Sequence, residues 1–261
     1  MGRTFTEKTE GSGLNKPSPG ATVDHRITES FAFADVDNDG DEDMVGCPFF
    51  ADPPMRDKLD NEGHRCVVLL NDGEGVFELK ENAGLHELGL VPVSSVSFLD
   101  YNLDGNIDVF LGTYFTIYPN VYEADILMRG NGDGSFTDVS DESNISSVVF
   151  PLYGSNVADW NGDGWPDIIT SPYCRSGGSL WQNNGDGTFT DVALNAGYSA
   201  LTMSGDEGRG LCQWAATPCD YDNDGDVDIL QVLVHGGNDE EEGRTVIAVN
   251  EGGHLTWELD R

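Results

Sequence analysis

The sequence predicts an all-β repeat protein: four units, each a four-stranded antiparallel sheet, stacked as the blades of a partial propeller. Three observations carry this. An aspartate-rich loop recurs four times, a glycine-rich turn recurs between the loops, and the stretches between them are short apolar runs with almost no helical periodicity.

The loops read DVDNDGDED from Asp35, DYNLDGNID from Asp100, DWNGDGWPD from Asp159 and DYDNDGDVD from Asp220, with starts 65, 59 and 61 residues apart. The turns are NDGEGVF from Asn71, NGDGSF from Asn131, NNGDGTF from Asn183 and NEGGHL from Asn250. A third segment follows three of these turns: FELKENAGL from Phe77, FTDVSDESNI from Phe136 and FTDVALNAGY from Phe189. FTEKTEGSGL from Phe5 is the same segment, so the chain opens just after a turn of this kind. The array fills 1–261, with units at roughly 27–80, 92–139, 153–192 and 214–259.

Each unit holds four strand-like runs. SFAFA and VSFL precede loops, and MVG, VFLG, IIT and ILQVLV follow them. CVVLL, ILM, LWQ and TVIAV come next, and the glycine turn leads into the fourth run. Four short antiparallel strands cannot bury both faces alone, and radial stacking solves that problem.

Composition narrows the function. The 47 acidic against 13 basic residues give a net charge of −34, with only four lysines. Such a surface repels nucleic acid and anionic membranes. The 38% hydrophobic content and regular apolar runs argue against disorder. No apolar stretch approaches the roughly 18 residues of a membrane helix.

The loops have the chemistry of a hard-cation site. Oxygen donors stand at positions 1, 3, 5 and 9 with glycine at 6, and the backbone carbonyl at position 7 adds another. The candidate ligands are Asp35, Asp37, Asp39, Asp41 (carbonyl) and Asp43 in the first loop. In the second they are Asp100, Asn102, Asp104, Asn106 (carbonyl) and Asp108. The third offers Asp159, Asn161, Asp163, Trp165 (carbonyl) and Asp167, and the fourth Asp220, Asp222, Asp224, Asp226 (carbonyl) and Asp228. Calcium takes six to eight oxygens, and crowded carboxylates repel each other without a cation. Position 12 is Gly46, Leu111, Thr170 or Gln231, which excludes an EF-hand. About four Ca²⁺ ions are expected, in a structural role. They would reduce −34 only to −26, so a saline habitat is a further way to screen the excess. Loops one and four carry four ligand aspartates and loops two and three carry three, which predicts tighter binding in one and four.

These loops and the apolar strands after them resemble the FG-GAP/VCBS repeats of integrin α-subunit propellers, and Gly46–Pro48 nearly matches the GAP element. The turn and AGL-like segments are similar to the secreted cartilage acidic protein and ASPIC/UnbV group. The resemblance implies a β-propeller, Ca²⁺ in the hairpin between the first two strands of a blade, an extracellular or cell-surface location, and adhesion through the opposite face. Propellers of this family have about seven blades. Four units therefore imply a partial ring, which self-association is one way to complete. The Asn144-Ile145-Ser146 sequon suits secretion.

Between the second and third runs lie the insertions, at 49–64, 113–125, 171–179 and 235–244, which a propeller projects opposite the loops. Phe49, Phe50, Tyr114, Phe115, Tyr118, Tyr122 and Tyr173 gather there. They form either a platform for a protein or glycan partner or a filler between blades. Tyr114 and Tyr118 are the candidate ligand contacts. No HExxH or GxSxG motif is present, and a carbohydrate-active enzyme would have to rely on Asp52, Asp57 and His64. Five cysteines leave at least one unpaired within the chain. Cys47 and Cys66 are placed to meet across strands, Cys212 and Cys219 are close in sequence, and reduced thiols are the alternative for each.

Overall fold

The computed structural model describes residues 6–16, 28–49, 65–116, 121–173, 178–198, 212–234 and 245–258. Their regular structure is almost wholly β, with two single 3₁₀ turns at Leu85–Leu88 and Ile145–Ser147. Four four-stranded antiparallel meanders follow one another along the chain. The first contains β1 (Ser30–Ala34), β2 (Asp43–Cys47), β3 (Val67–Asn71) and β4 (Phe77–Leu79). The second contains β5 (Val93–Leu99), β6 (Asp108–Thr113), β9 (Ile126–Gly130) and β10 (Phe136–Asp138). A small hairpin, β7 (Phe115–Thr116) with β8 (Val121–Tyr122), is set into its β6–β9 connection. The third contains β11 (Leu152–Ala158), β12 (Asp167–Pro172), β13 (Leu180–Asn183) and β14 (Phe189–Asp191). The fourth contains β15 (Cys212–Cys219), β16 (Asp228–Val234), β17 (Thr245–Asn250) and β18 (Leu255–Glu258).

The first strands β1, β5, β11 and β15 lie side by side in that order, as the inner strands of propeller blades do. The apolar cores sit in the seams between sheets. Val36, Val45, Cys47 and Val68 of the first sheet meet Val93, Val109, Leu111 and Met128 of the second. Leu99, Tyr101, Phe110 and Leu127 meet Leu152, Ile168 and Trp181. Trp160, Ile169 and Leu180 meet Ala216, Ile229 and Ala248. β6 and β12 are buried at every position because a middle blade has a neighbour on each face, and β2 is buried because Met44 on its other face packs with Leu14, Phe77 and Leu79. Their sequences therefore read as apolar runs rather than alternating ones.

The AGL-like segments turn out to be clips between blades. The Phe136 N–H donates to the Ala83 carbonyl at 2.9 Å, Phe189 N–H to Ser143 at 2.9 Å, and Leu255 N–H to Ala196 at 2.7 Å. Each clip fastens one unit to the outermost strand of the next. The segment at 6–16 does the same for the first sheet, where Phe77 N–H donates to Ser12 at 2.7 Å. Gly84 has φ +86°, and a Cβ there would collide with the Phe136 carbonyl oxygen. In the clip that runs from the second unit to the third, Asn144 takes the left-handed position (φ 69°) and donates its amide to the Phe189 carbonyl at 3.1 Å.

Cys47 and Cys66 form a disulfide with Cα atoms 4.1 Å apart, tying the end of β2 to the residue before β3. Pairing of Cys212 with Cys219 is excluded. They stand at the two ends of β15, about 23 Å apart at strand rise. Cys219 is a free thiol, and partial burial raises its pKa. Asp52, Asp57, His64, Phe50, Tyr118 and Cys174 lie outside the described residues.

Candidate metal loops and the opposite aromatic face

Each aspartate loop joins the first two strands of its sheet, and all four sit at the same end of the stack. Position 1 anchors the turn: Asp35 Oδ1 accepts the Asp39 N–H at 3.1 Å and its Oδ2 the Gly40 N–H at 3.0 Å. Asp100 does this for Asp104 and Gly105, and Asp159 for Asp163 and Gly164. Position 5 accepts the position 7 N–H in every loop, at 2.8–3.0 Å. Two left-handed residues make the turn possible. Position 6 is glycine throughout, and position 4 is Asn38, Leu103, Gly162 or Asn223.

The loops divide at position 3. In loops two and three, Asn102 and Asn161 each donate an amide N–H to the position 5 carboxylate at 2.8 Å. Loops one and four have aspartate there and no such donor. Asp35, Asp37 and Asp39 bring one oxygen each within 4.8 Å of one another, and so do Asp220, Asp222 and Asp224. Partial desolvation, followed by the charge of Asp39, pushes the Asp37 carboxyl up from its ordinary pKa. Asp222 is pushed up in the same way, with Asp224 as its charged neighbour. Three converging carboxylates without a proton or counter-charge suit a hard divalent cation. The donor set therefore fits calcium. Asp35, Asp37 and Asp39, and Asp220, Asp222 and Asp224, are the side chains that would hold it.

Position 9 has a second task that the motif alone does not reveal. Asp43, Asp108, Asp167 and Asp228 are all fully buried. In each, Oδ2 accepts the N–H of loop position 2: Val36 at 3.0 Å, Tyr101 at 2.9 Å, Trp160 at 3.1 Å and Tyr221 at 2.8 Å. Oδ1 accepts an N–H from the end of the third strand: Asn71, Gly130, Asn183 and Asn250, at 2.7–2.8 Å. The carboxylate thus pins the loop to the sheet behind it. Each oxygen keeps a second lone pair, so the same group can also face a cation. Burial raises the carboxyls of Asp108 and Asp167 to about 7, against the pull of their two N–H donors.

Loop position 2 also links blades. The Tyr101 carbonyl accepts the Asn183 side-chain amide at 2.8 Å, and the Trp160 carbonyl accepts that of Asn250 at 2.7 Å. In the first seam the Val36 carbonyl accepts the Gly134 N–H at 3.1 Å instead.

At the other end of the sheets the aromatic residues form one connected cluster. Tyr114 touches Phe49, Phe115, Tyr153 and Tyr173, with ring centroids 4.7–5.9 Å apart. Phe115 also meets Tyr122 and Tyr173. Tyr153 stacks on Trp214 at 4.7 Å with rings 4° from parallel. All four units contribute.

Tyr114 is the centre of this cluster and only 7% exposed, whereas Trp214 (51%) and Tyr122 (49%) face outward. Burial, then the adjacent hydroxyls of Tyr153 and Tyr173, push the Tyr114 pKa up. Sequence reasoning missed Tyr153 and Trp214, which lie in inner strands rather than insertions. β11 and β15 each carry a bulge, skipping Tyr153 between Leu152 and Gly154 and Trp214 between Gln213 and Ala215. A bulge re-aims the extra side chain. β5 carries the same irregularity at Ser94. No local sequence signal marks these positions.

No curated protein matches the chain significantly. The FG-GAP-like repeat family matches residues 100–170 and 159–231, each match running from one aspartate loop through the next. Together they span just over half of the 261 residues. Loop geometry, four-stranded sheets and this match agree: the chain belongs to the FG-GAP-like repeat family.

Proposed function

We propose that the protein is a calcium-stabilised binding module of the extracellular or cell-surface type. It takes a protein or glycan ligand on the aromatic face opposite its aspartate loops. The observation that carries this is the ring cluster drawn from all four units, with Trp214 and Tyr122 half exposed at its surface. Exposed aromatics on a rigid β scaffold offer contact area at little entropic cost. The net charge of −34 disfavours anionic ligands, nucleic acid included. The Cys47–Cys66 disulfide supports an oxidising compartment. No helix among the described residues is long and apolar enough to cross a membrane. The likeness of the turn and clip segments to the cartilage acidic protein group points the same way, toward secretion.

In this reading the calcium ions are structural. They neutralise the position 1 and 5 carboxylates, and that of position 3 in loops one and four, and hold the first hairpin of each blade. The family match favours a binding module over a carbohydrate-active enzyme, and the protein is assigned no catalytic role.

The test is a neutral-glycan and protein-ligand array probed with the calcium-loaded chain, with product analysis of every hit. Binding without turnover, lost in Trp214→Ala and Tyr122→Ala chains that fold normally, is the expected result. Hits that both variants retain in full would place the ligand elsewhere. Product formation would reinstate the enzyme reading.

A further inference from the structure

The three seams between sheets repeat in register, so the same positions can be compared in each. Four residues after its aspartate loop, the preceding sheet contributes Cys47, Gly112 or Ser171. The following sheet contributes Val93, Leu152 or Gln213 seven residues before its loop, and Leu111, Thr170 or Gln231 three residues after it. In the first seam the trio is Cys47, Val93 and Leu111, all within one apolar core. In the second, a Cβ on Gly112 would lie 3.2 Å from Leu152 Cδ1, so the packing there is tight. The one hydroxyl in that trio is satisfied: Thr170 Oγ1 donates to the Ser179 carbonyl at 2.9 Å and accepts the Ser179 N–H at 2.7 Å.

The third seam breaks the pattern. Its trio is Ser171, Gln213 and Gln231, all polar and at most 1% exposed. Ile169 and Ile229, two residues earlier on the same strands, pack inside this seam, so Ser171 and Gln231 point into it as well. Gln213 pairs with Leu233, which makes Gln231 its diagonal neighbour on the same face, within reach of a long side chain. Gln213 Nε2 donates to the Tyr198 hydroxyl at 3.0 Å, and that hydroxyl donates to the Thr170 carbonyl at 2.7 Å. This chain fixes the orientation of the Gln213 amide and leaves its oxygen over. Among the described residues, Ser171 Oγ, Gln213 Oε1 and both Gln231 Oε1 and Nε2 find no hydrogen-bond partner. There is also room beside them. Gly154 pairs with Ser171, and a Cβ built on it would meet nothing nearer than 3.9 Å.

We propose that ordered water occupies this pocket and bridges Ser171 of the third sheet to Gln213 and Gln231 of the fourth. Burying four polar atoms without partners is costly, and native interiors satisfy such groups from protein or from internal water. The chemistry of the trio selects the occupant. Gln231 offers an acceptor and a two-proton donor, Gln213 an acceptor, and Ser171 one of each. An ion of either sign would meet an unfavourable end of the Gln231 amide, whereas water both donates and accepts. Two to four polar partners are what a buried water needs, and this pocket supplies them. The site backs the aromatic face. Gln213 immediately precedes Trp214, and Gly154 immediately follows Tyr153, so the bridge lies behind the two bulges that carry the Tyr153–Trp214 stack. Where the first seam is held by apolar contact, the third is held by solvated hydrogen bonds.

The experiment pairs a crystal structure of the full chain with oxygen-17 magnetic relaxation dispersion, which counts waters held long enough to tumble with the protein. Two variants accompany the parent. Ser171→Ala/Gln213→Val/Gln231→Leu gives the third seam the apolar character of the first, and Gln231→Leu alone is the milder change. In the parent, electron density for water is expected within hydrogen-bond distance of at least two of the four atoms. The dispersion amplitude is expected to fall by one water or more in each variant that circular dichroism shows to be folded. If the triple variant does not fold, Gln231→Leu and the parent crystal structure decide the matter. An amplitude unchanged in the folded variants overturns the proposal. So does a crystal structure in which Gln213, Gln231 and Ser171 bond directly to one another, or in which an ion or organic molecule fills the pocket. No glycan or protein ligand is present in either measurement, so the outcome is independent of what the aromatic face binds.

Discussion

Replacing Asp167 with alanine separates the two tasks of the position 9 carboxylate. Asp167 is buried between blades that both have neighbours, and it accepts the Trp160 N–H at 3.1 Å and the Asn183 N–H at 2.7 Å. Asp167→Ala strands both donors away from water. At roughly 1–3 kcal/mol for each buried group left unpaired, the loss is about 2–6 kcal/mol, before any metal is considered. Asp167→Asn keeps one acceptor oxygen but turns an N–H₂ toward a backbone N–H, and about half that loss is expected. Asp163→Asn, at exposed position 5, keeps an amide oxygen for the Trp165 N–H and loses only a solvent-exposed bond from Asn161, so it is the control for the metal role. Urea unfolding followed by far-ultraviolet circular dichroism, with chelator and with saturating calcium, distinguishes them. Asp167→Ala is expected to lower the midpoint strongly in both conditions, and Asp163→Asn only in calcium. An Asp167→Ala chain that unfolds with the parent in chelator would refute the buried brace.

Four further outcomes are expected. Leu103 is a branched side chain held at φ 54° and 54% exposed where the other loops have Asn or Gly, so Leu103→Asn should stabilise by about 1 kcal/mol in chemical denaturation. Gly84→Ala forces a Cβ against the Phe136 carbonyl at a positive φ and should loosen the first seam, seen as faster amide exchange at Phe136. The calcium affinities of Asp37→Asn and Asp222→Asn chains should fall below that of the parent in titration calorimetry, because each removes a member of a three-carboxylate group; unchanged affinities would contradict this. The last outcome concerns pH. Asp125, buried with Thr113 donating to it, has its pKa raised by burial to about 8, and Asp108 and Asp167 are raised to about 7. The folded chain therefore holds protons that the unfolded chain releases, so metal-free stability should fall as pH rises from about 4 to about 8 and then level off. Asp125→Asn should remove part of that slope in melting curves, and a flat profile in the parent would oppose the assignment.

The sequence carried the parts of the fold that depend on local chemistry. The aspartate loops, the glycine turns and the apolar runs between them marked four strands in each of four units, since turns and strand periodicity are written in neighbouring residues. What tertiary contacts decide was not legible. The AGL-like segments were visible as a repeat, but their work as clips shows only when Ala83, Ser143 and Ala196 meet the following blade. The aspartates at position 9 read as ligands, whereas their burial and paired N–H donors make them braces as well. Tyr153 and Trp214 reach the aromatic face through bulges that no composition rule predicts. Nearness in sequence misled for Cys212 and Cys219, because seven steps along an extended strand carry two thiols apart.

Titration calorimetry on the chelator-stripped chain, paired with thermal melting, bears most directly on why these carboxylates are gathered. Saturable calcium uptake is expected, tightest in the loops of Asp35–Asp39 and Asp220–Asp224, with a rise in melting temperature that is larger at pH 8 than at pH 5 because protons compete for the same oxygens. No detectable heat of uptake, together with a melting temperature indifferent to calcium, would mean that the loops hold their shape by backbone hydrogen bonds alone.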